Sequence, residues 1–217
     1  MIEKVILQTS DNKRIVADHY KAKKGSPSIL LIHMMPSDRK SYTKFAEKLF
    51  EKGIGVLAID LRGHGESEQG PEGYKSFSDE QHQSSILDVK AGLNFQKAEG
   101  HSPMFICGAS IGANLALQAL TEENVKKIIL LSPGINYKGI KTLELASKIP
   151  DEKAVFILAC KADLRSLGSA DEQALKIYEA LNCNKKIRIF DVGGHGTNIL
   201  EANPKIMDEL ISWIQKF

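Results

Sequence analysis

The chain has 217 residues, 42% of them hydrophobic and 26% charged, with a formal net charge of +2 and seven prolines. That length fills one three-layer domain and is short for two, and the composition excludes a disordered or fibrous chain. Lys and Arg are spread along the chain without a basic stripe, which argues against nucleic acid or an anionic membrane as partner.

The N-terminus runs directly into an alternating segment, with no signal-peptide core, and no later apolar run has the length of a membrane span. A cytoplasmic location without stable membrane insertion is the expectation. Val5 to Thr9 and Arg14 to Tyr20 alternate as two strands of a hairpin around the polar turn Ser10-Asp11-Asn12-Lys13, an antiparallel edge. Short runs rich in Ile, Val and Leu follow at 28–33, 56–60, 104–107, 127–131, 154–160 and 186–191, the signature of parallel strands covered on both faces. Helical spacing is found at 42–51, ending at Gly53, at 79–97, ending at Gly100, and at 111–121, 171–181 and 204–216. Cys107, Cys160 and Cys183 are odd in number and lack metal-ligand spacing, so they read as reduced packing residues.

Strand-helix alternation of this kind requires right-handed crossovers. The fold class is therefore α/β: a three-layer α/β/α sandwich around a mostly parallel sheet of about eight strands with an antiparallel N-terminal edge, one domain over 1–217. Ligands of such sheets bind beyond the carboxyl ends of the strands. That rule selects 33–37, 60–67, 108–112, 161–166 and 193–197.

Gly108-Ala109-Ser110-Ile111-Gly112 stands between an apolar run and a helix, the strand-turn-helix context of a nucleophile elbow. A serine hydroxyl needs a base within hydrogen-bond reach, and the base needs an acid on its other nitrogen. Of the six histidines only His195 lies in a Gly-Gly-His-Gly loop after the final strand, and Asp163 emerges after the 154–160 run at the same edge. The expected catalytic set is Ser110, His195 and Asp163, with Asp191 as a rival acid better placed for strand-end support. Bland alternatives are a helix-starting turn for Ser110, a turn histidine, and a capping role for Asp163. Two backbone N–H groups should hold the oxyanion: that of Ile111 and one from the His33-Met34-Met35-Pro36 loop, Met35 with Met34 as near competitor. The side chains of Met34 and Met35 would line an adaptable apolar substrate pocket, or else simply pack.

Taken together, His33-Met34-Met35-Pro36, Asp60-Leu61-Arg62-Gly63-His64-Gly65-Glu66-Ser67, the serine elbow, Lys161-Ala162-Asp163 and Gly194-His195-Gly196 resemble the α/β-hydrolase superfamily over nearly the whole chain. The resemblance is to small cap-poor esterases and to the dienelactone hydrolase-like and serine aminopeptidase-like groups. It implies that the Asp60–Ser67 stretch is structural, without a catalytic role for Arg62 or His64. Met34 replaces the glycine of the common His-Gly pair, and the cysteine nucleophile of dienelactone hydrolases is absent, which favours ester over lactone chemistry. Lids in this family follow the sixth strand, and only a minimal one fits around 134–153, with a short helix at 143–149. An open nucleophile and small or short-chain acyl esters are the expectation, with an acyl-enzyme intermediate and neither metal nor organic cofactor. The alternatives are thioester or small-amide cleavage by the same triad, or a non-catalytic binding protein of this fold. The partner is thus a small-molecule ester, and the oligomeric state stays open.

Overall fold

The computed structural model describes residues 2–216. In chain order, β1 (Ile2–Gln8) and β2 (Arg14–Tyr20) form a hairpin, followed by β3 (Ser28–Ile32), a 3-10 turn at Arg39–Tyr42, α1 (Thr43–Glu51) and β4 (Gly55–Ile59). Next come α2 (Asp79–Gln83), α3 (Ile86–Ala98), β5 (Met104–Ala109), α4 (Ile111–Ala119), β6 (Val125–Leu131), a two-residue-strand hairpin of β7 (Asn136–Tyr137) and β8 (Ile140–Lys141), and α5 (Thr142–Ala146). The chain then forms β9 (Ala154–Cys160), a second small hairpin of β10 (Leu164–Arg165) and β11 (Gly168–Ser169), α6 (Ala170–Ala180), β12 (Asn184–Phe190), α7 (Asn198–Ala202) and α8 (Lys205–Gln215).

Eight strands make one sheet in the order β1-β2-β4-β3-β5-β6-β9-β12, with every pairing from β4 to β12 parallel. Only β2 runs against its neighbours, pairing antiparallel with β1 and β4. The central strands are buried throughout, because alternate residues feed two cores. Leu30, Ile32 and Ile106 join Val89, Leu115 and Ile177 of α3, α4 and α6 on one face. Ile29, Leu31 and Phe105 join Phe45, Ile199 and Leu210 of α1, α7 and α8 on the other. Each fully buried Leu, Ile or Phe contributes about 1.5–3 kcal/mol, so the sheet centre is a stiff support for what its strand ends carry.

The single helix expected over 79–97 is two helices separated by Ser84 and Ser85. Ser78 and Gln81 close a capping box that starts α2. Ser84 Oγ then donates to the Gln81 carbonyl at 2.7 Å and accepts from Arg62 Nη1 at 3.0 Å, competing with helix continuation. The helix expected at 143–149 is α5, preceded by the β7–β8 hairpin, and the segment is pinned to α4. Asn114 of α4 donates to the carbonyls of Gly134 and Ile140 at 3.0 and 3.2 Å and accepts from Gly134 N–H at 3.1 Å. Cys107, Cys160 and Cys183 are buried free thiols.

Candidate active site

At the end of β5 the backbone reverses at Ser110, whose φ of 53° is in the left-handed region. Such a conformation costs a non-glycine residue about 1–3 kcal/mol, less than the burial of the β5 side chains that impose it. The reversal brings backbone segments too close for side chains at either flank. A Cβ on Gly108 would fall 2.0 Å from the Gly112 carbonyl oxygen, and one on Gly112 would fall 2.4 Å from that of Ile32. Ser110 N–H donates to the Leu131 carbonyl at 2.9 Å, and its own carbonyl accepts from Ala113 and Asn114 at 2.9 and 3.2 Å, starting α4.

His195 lies in the glycine loop between β12 and α7. Its Nδ1 is 2.5 Å from Asp163 Oδ2, at the end of β9. The other oxygen of Asp163 accepts from Arg165 Nη2 at 2.6 Å. Burial pushes the Asp163 carboxyl up, but the hydrogen bonds and charges of His195 and Arg165 outweigh it, and the net effect holds the group below its ordinary value of 3.8. The loop is fixed by Ser132, the first residue after β6, whose Oγ accepts from Gly196 N–H at 3.0 Å. Since Ser110 N–H is bound to Leu131, the residue before Ser132, the elbow and the histidine loop are fastened to one strand end. The position of a Cβ on Gly196 would be 3.3 Å from Ala109 Cβ, so the two loops touch.

Asp163 and His195 are thus joined, and Ser110 is adjacent to their loop. The Ser110–His195 hydrogen bond itself is not closed: Ser110 Oγ and His195 Nε2 are both buried and without a hydrogen-bond partner among the described residues. Catalytic hydrogen bonds often tighten only when substrate binds. Asp191, the rival acid, faces solvent with Lys161 at 2.8 Å.

The loop after β3 is set by His33, fully buried. Its Nδ1–H donates to the Met34 carbonyl at 2.9 Å while Nε2 accepts Leu61 N–H at 3.0 Å, which fixes a neutral tautomer. Burial depresses His33 to about 4. Met34 Sδ is 3.9 Å from Thr197 Oγ1 and would be 2.6 Å from a Cβ on Gly196, while Met35 packs on the core that includes Ile111. The two methionines are therefore braced, one against the histidine loop and one against the hydrophobic core.

The Asp60–Ser67 loop is held by a dense set of bonds to itself and to its neighbours. Asp60, fully buried, accepts from Arg39 N–H and Glu66 N–H at 2.8 Å each and from the Arg39 guanidinium. Arg62 spans Asp88, which takes Nε and Nη2 at 2.9 and 2.7 Å, and Asp11 at 2.7 Å. Among the described residues no group of three or more His, Cys, Asp or Glu side chains is arranged to hold a metal, and no helix is long and apolar enough to cross a membrane.

A cavity of about 510 Å³ lies between the two small hairpins, with His195, Ser132, Tyr137 and Arg165 in its walls. Contrary to the expectation of an open nucleophile, Ser110 is completely buried. The sequence reading had no hairpins at the strand ends, and these raise the walls. Gln173 of α6 fastens both, accepting from Ile135 N–H at 3.1 Å and donating to the Gly168 carbonyl at 2.9 Å. Ser132 is the site residue that the sequence reading passed over, and Arg165 lay within the selected 161–166 stretch without a role. Ser132 obeys the rule of the residue just after an apolar run, which should have selected it.

A family model described as serine aminopeptidase, S33, matches residues 24–198. The AB hydrolase superfamily protein YisY of Bacillus subtilis (strain 168) is 29% identical over 111 residues, 50% of this chain and 38% of that protein, so the match spans well under half of the relative's length. An esterase of Pyrococcus furiosus aligns with a TM-score of 0.80 at 21% identity, over 100% of this chain and 93% of that one. A dienelactone hydrolase from Anabaena variabilis ATCC 29413 gives 0.80 at 14% identity, over 100% and 98%. An esterase from Exiguobacterium antarcticum gives 0.75 at 17% identity, over 99% and 100%. At these identities the structural likeness is one of fold.

Proposed function

Since the chain belongs to the serine aminopeptidase, S33, family of the α/β-hydrolase superfamily, we propose that it is a serine hydrolase of small carboxylic esters, acting through Ser110, His195 and Asp163. The observation that carries this reading is the pairing of His195 Nδ1 with Asp163 while Nε2, on the other side of the ring, is left without a partner beside the elbow. That is the state of a general base waiting for a hydroxyl proton. Ser110 Oγ attacks the ester carbonyl as its proton passes to Nε2, and Asp163 stabilises the imidazolium. The oxyanion is held by the N–H of Ile111, an orphan donor of the first turn of α4, and by the N–H of Met35 or Met34. The imidazolium returns the proton to the departing alcohol, and a water molecule activated in the same way releases the acid.

Two features favour a small ester over a peptide with a free amino end. None of the cavity-lining residues is Asp or Glu, the side chains an ammonium group would need, and a volume of about 510 Å³ suits a compact ligand. The esterases of the same fold add support at the level of architecture.

Ser110→Ala should lower p-nitrophenyl acetate turnover by about a thousandfold or more and abolish labelling by a fluorophosphonate, with the melting temperature unchanged. Labelling that persists at another residue defeats the assignment. Equal rates on acetyl and long-chain esters would defeat the preference for small acyl groups.

A further inference from the structure

Asp163 has two carboxylate oxygens, and both are engaged. Oδ2 serves His195 at 2.5 Å, and Oδ1 receives Arg165 Nη2 at 2.6 Å. Arg165 comes from only two residues along the chain, in the first strand of the β10–β11 hairpin. Leu164, 79% exposed, and Arg165 both border the cavity, and the Arg165 guanidinium folds back onto the carboxylate. The hairpin is a fixed platform. Ala170 N–H closes its base on the Asp163 carbonyl at 2.8 Å, Gln173 holds Gly168, and a Ser169–Glu172 capping box starts α6 directly behind it.

An ion pair with a partly exposed arginine contributes little stability by itself. Here, however, the partner carboxylate is 5% exposed and already holds the imidazole. We propose that Arg165 is a positioning residue of the triad, locking the Asp163 carboxylate in the plane that receives His195 Nδ1–H and offsetting part of the negative charge the imidazole senses. This inference rests on the reading of Asp163 and His195 as acid and base. The charged groups that act on Asp163 are His195 and Arg165; nearby Lys161 is tied to Asp191, and Asp171 to Ser169. A guanidinium in this cluster offsets part of the carboxylate charge that would stabilise an imidazolium, so its removal is expected to move the acid limb of the activity profile upward.

The test is kcat and KM against pH for the wild type, Arg165→Met and Arg165→Lys on p-nitrophenyl acetate. The acid limb of kcat/KM should move up by about half a pH unit or more in the Met variant. Its plateau kcat should fall several-fold with little change in KM, and the Lys variant should keep the wild-type limb. A Met variant whose limb coincides with that of the wild type overturns the inference, as does a rise in KM with an unmoved limb, which would make Arg165 a substrate contact only. Arg165→Gln, neutral but still a donor, replaces the Met variant should that one fail to fold. Failure of the acid–base reading is distinguishable, because it would appear as activity surviving in His195→Ala.

Discussion

Two loops at the same edge of the sheet carry the same tripeptide, Gly-His-Gly, at 63–65 and 194–196. Around His64 the ring is stacked on Tyr74 at 4.3 Å with an interplanar angle of 8°, its Nδ1 is on the Arg62 carbonyl, and burial depresses it to about 3. Around His195 the Nδ1 partner is a carboxylate. A histidine between glycines is thus no sign of catalysis. Under the proposed reading, what sets His195 apart is a buried carboxylate on Nδ1 together with a loop that touches the serine elbow; His19 also meets a carboxylate, Glu3 at 3.1 Å, but from the edge hairpin.

The most direct way to break this contrast is to truncate both rings. His195→Ala should reduce esterase activity by about a thousandfold or more at unchanged stability. His64→Ala should leave the residual enzyme active within about tenfold and instead destabilise the fold by about 2 kcal/mol or more through a lost stack and a new cavity. Comparable losses of activity in the two variants would erase the distinction.

Acid sharpens it on the stability side. The folded protein holds His33 at about 4 against an ordinary 6.5. The unfolded chain therefore binds the extra proton between these values, and stability is complete above pH 6.5 and is lost as pH falls toward 4. At 1.36 kcal/mol per unit, His33 alone accounts for about 3 kcal/mol of that decline. Urea midpoints measured from pH 7 to 4 should drop, and a flat profile would contradict the buried neutral tautomer. The smallest effect is expected at Ser132, where Ala removes one hydrogen bond to the histidine loop. A loss of about 1 kcal/mol corresponds to about a fivefold fall in kcat/KM, with Asp163 and His195 still paired. An unchanged value would show that the glycine loop holds itself.

The strands were readable because burial on both faces leaves uninterrupted Ile, Val and Leu runs, and the elbow because its glycines are demanded by backbone approach at Gly108 and Gly112. The break at Ser84 was hidden, since the serine that ends α2 is also bound by Arg62 from a distant loop. The β7–β8 hairpin escaped because two-residue strands show no period; only its turn, with φ of 52° and 80° at Lys138 and Gly139, carries a signal. Asp163 was legible from its place after β9, but its second partner, Arg165, was not: adjacency in sequence does not say toward which side of a short strand a guanidinium folds.

One amide side chain fastens both walls. Gln173 grips the segment before β7 with its oxygen and the β10–β11 turn with its nitrogen, so the width of the cavity is governed from a helix set behind it. A single altered anchor or a longer turn on either side would reshape this cavity while leaving the strand ends that carry Ser110, Asp163 and His195 untouched.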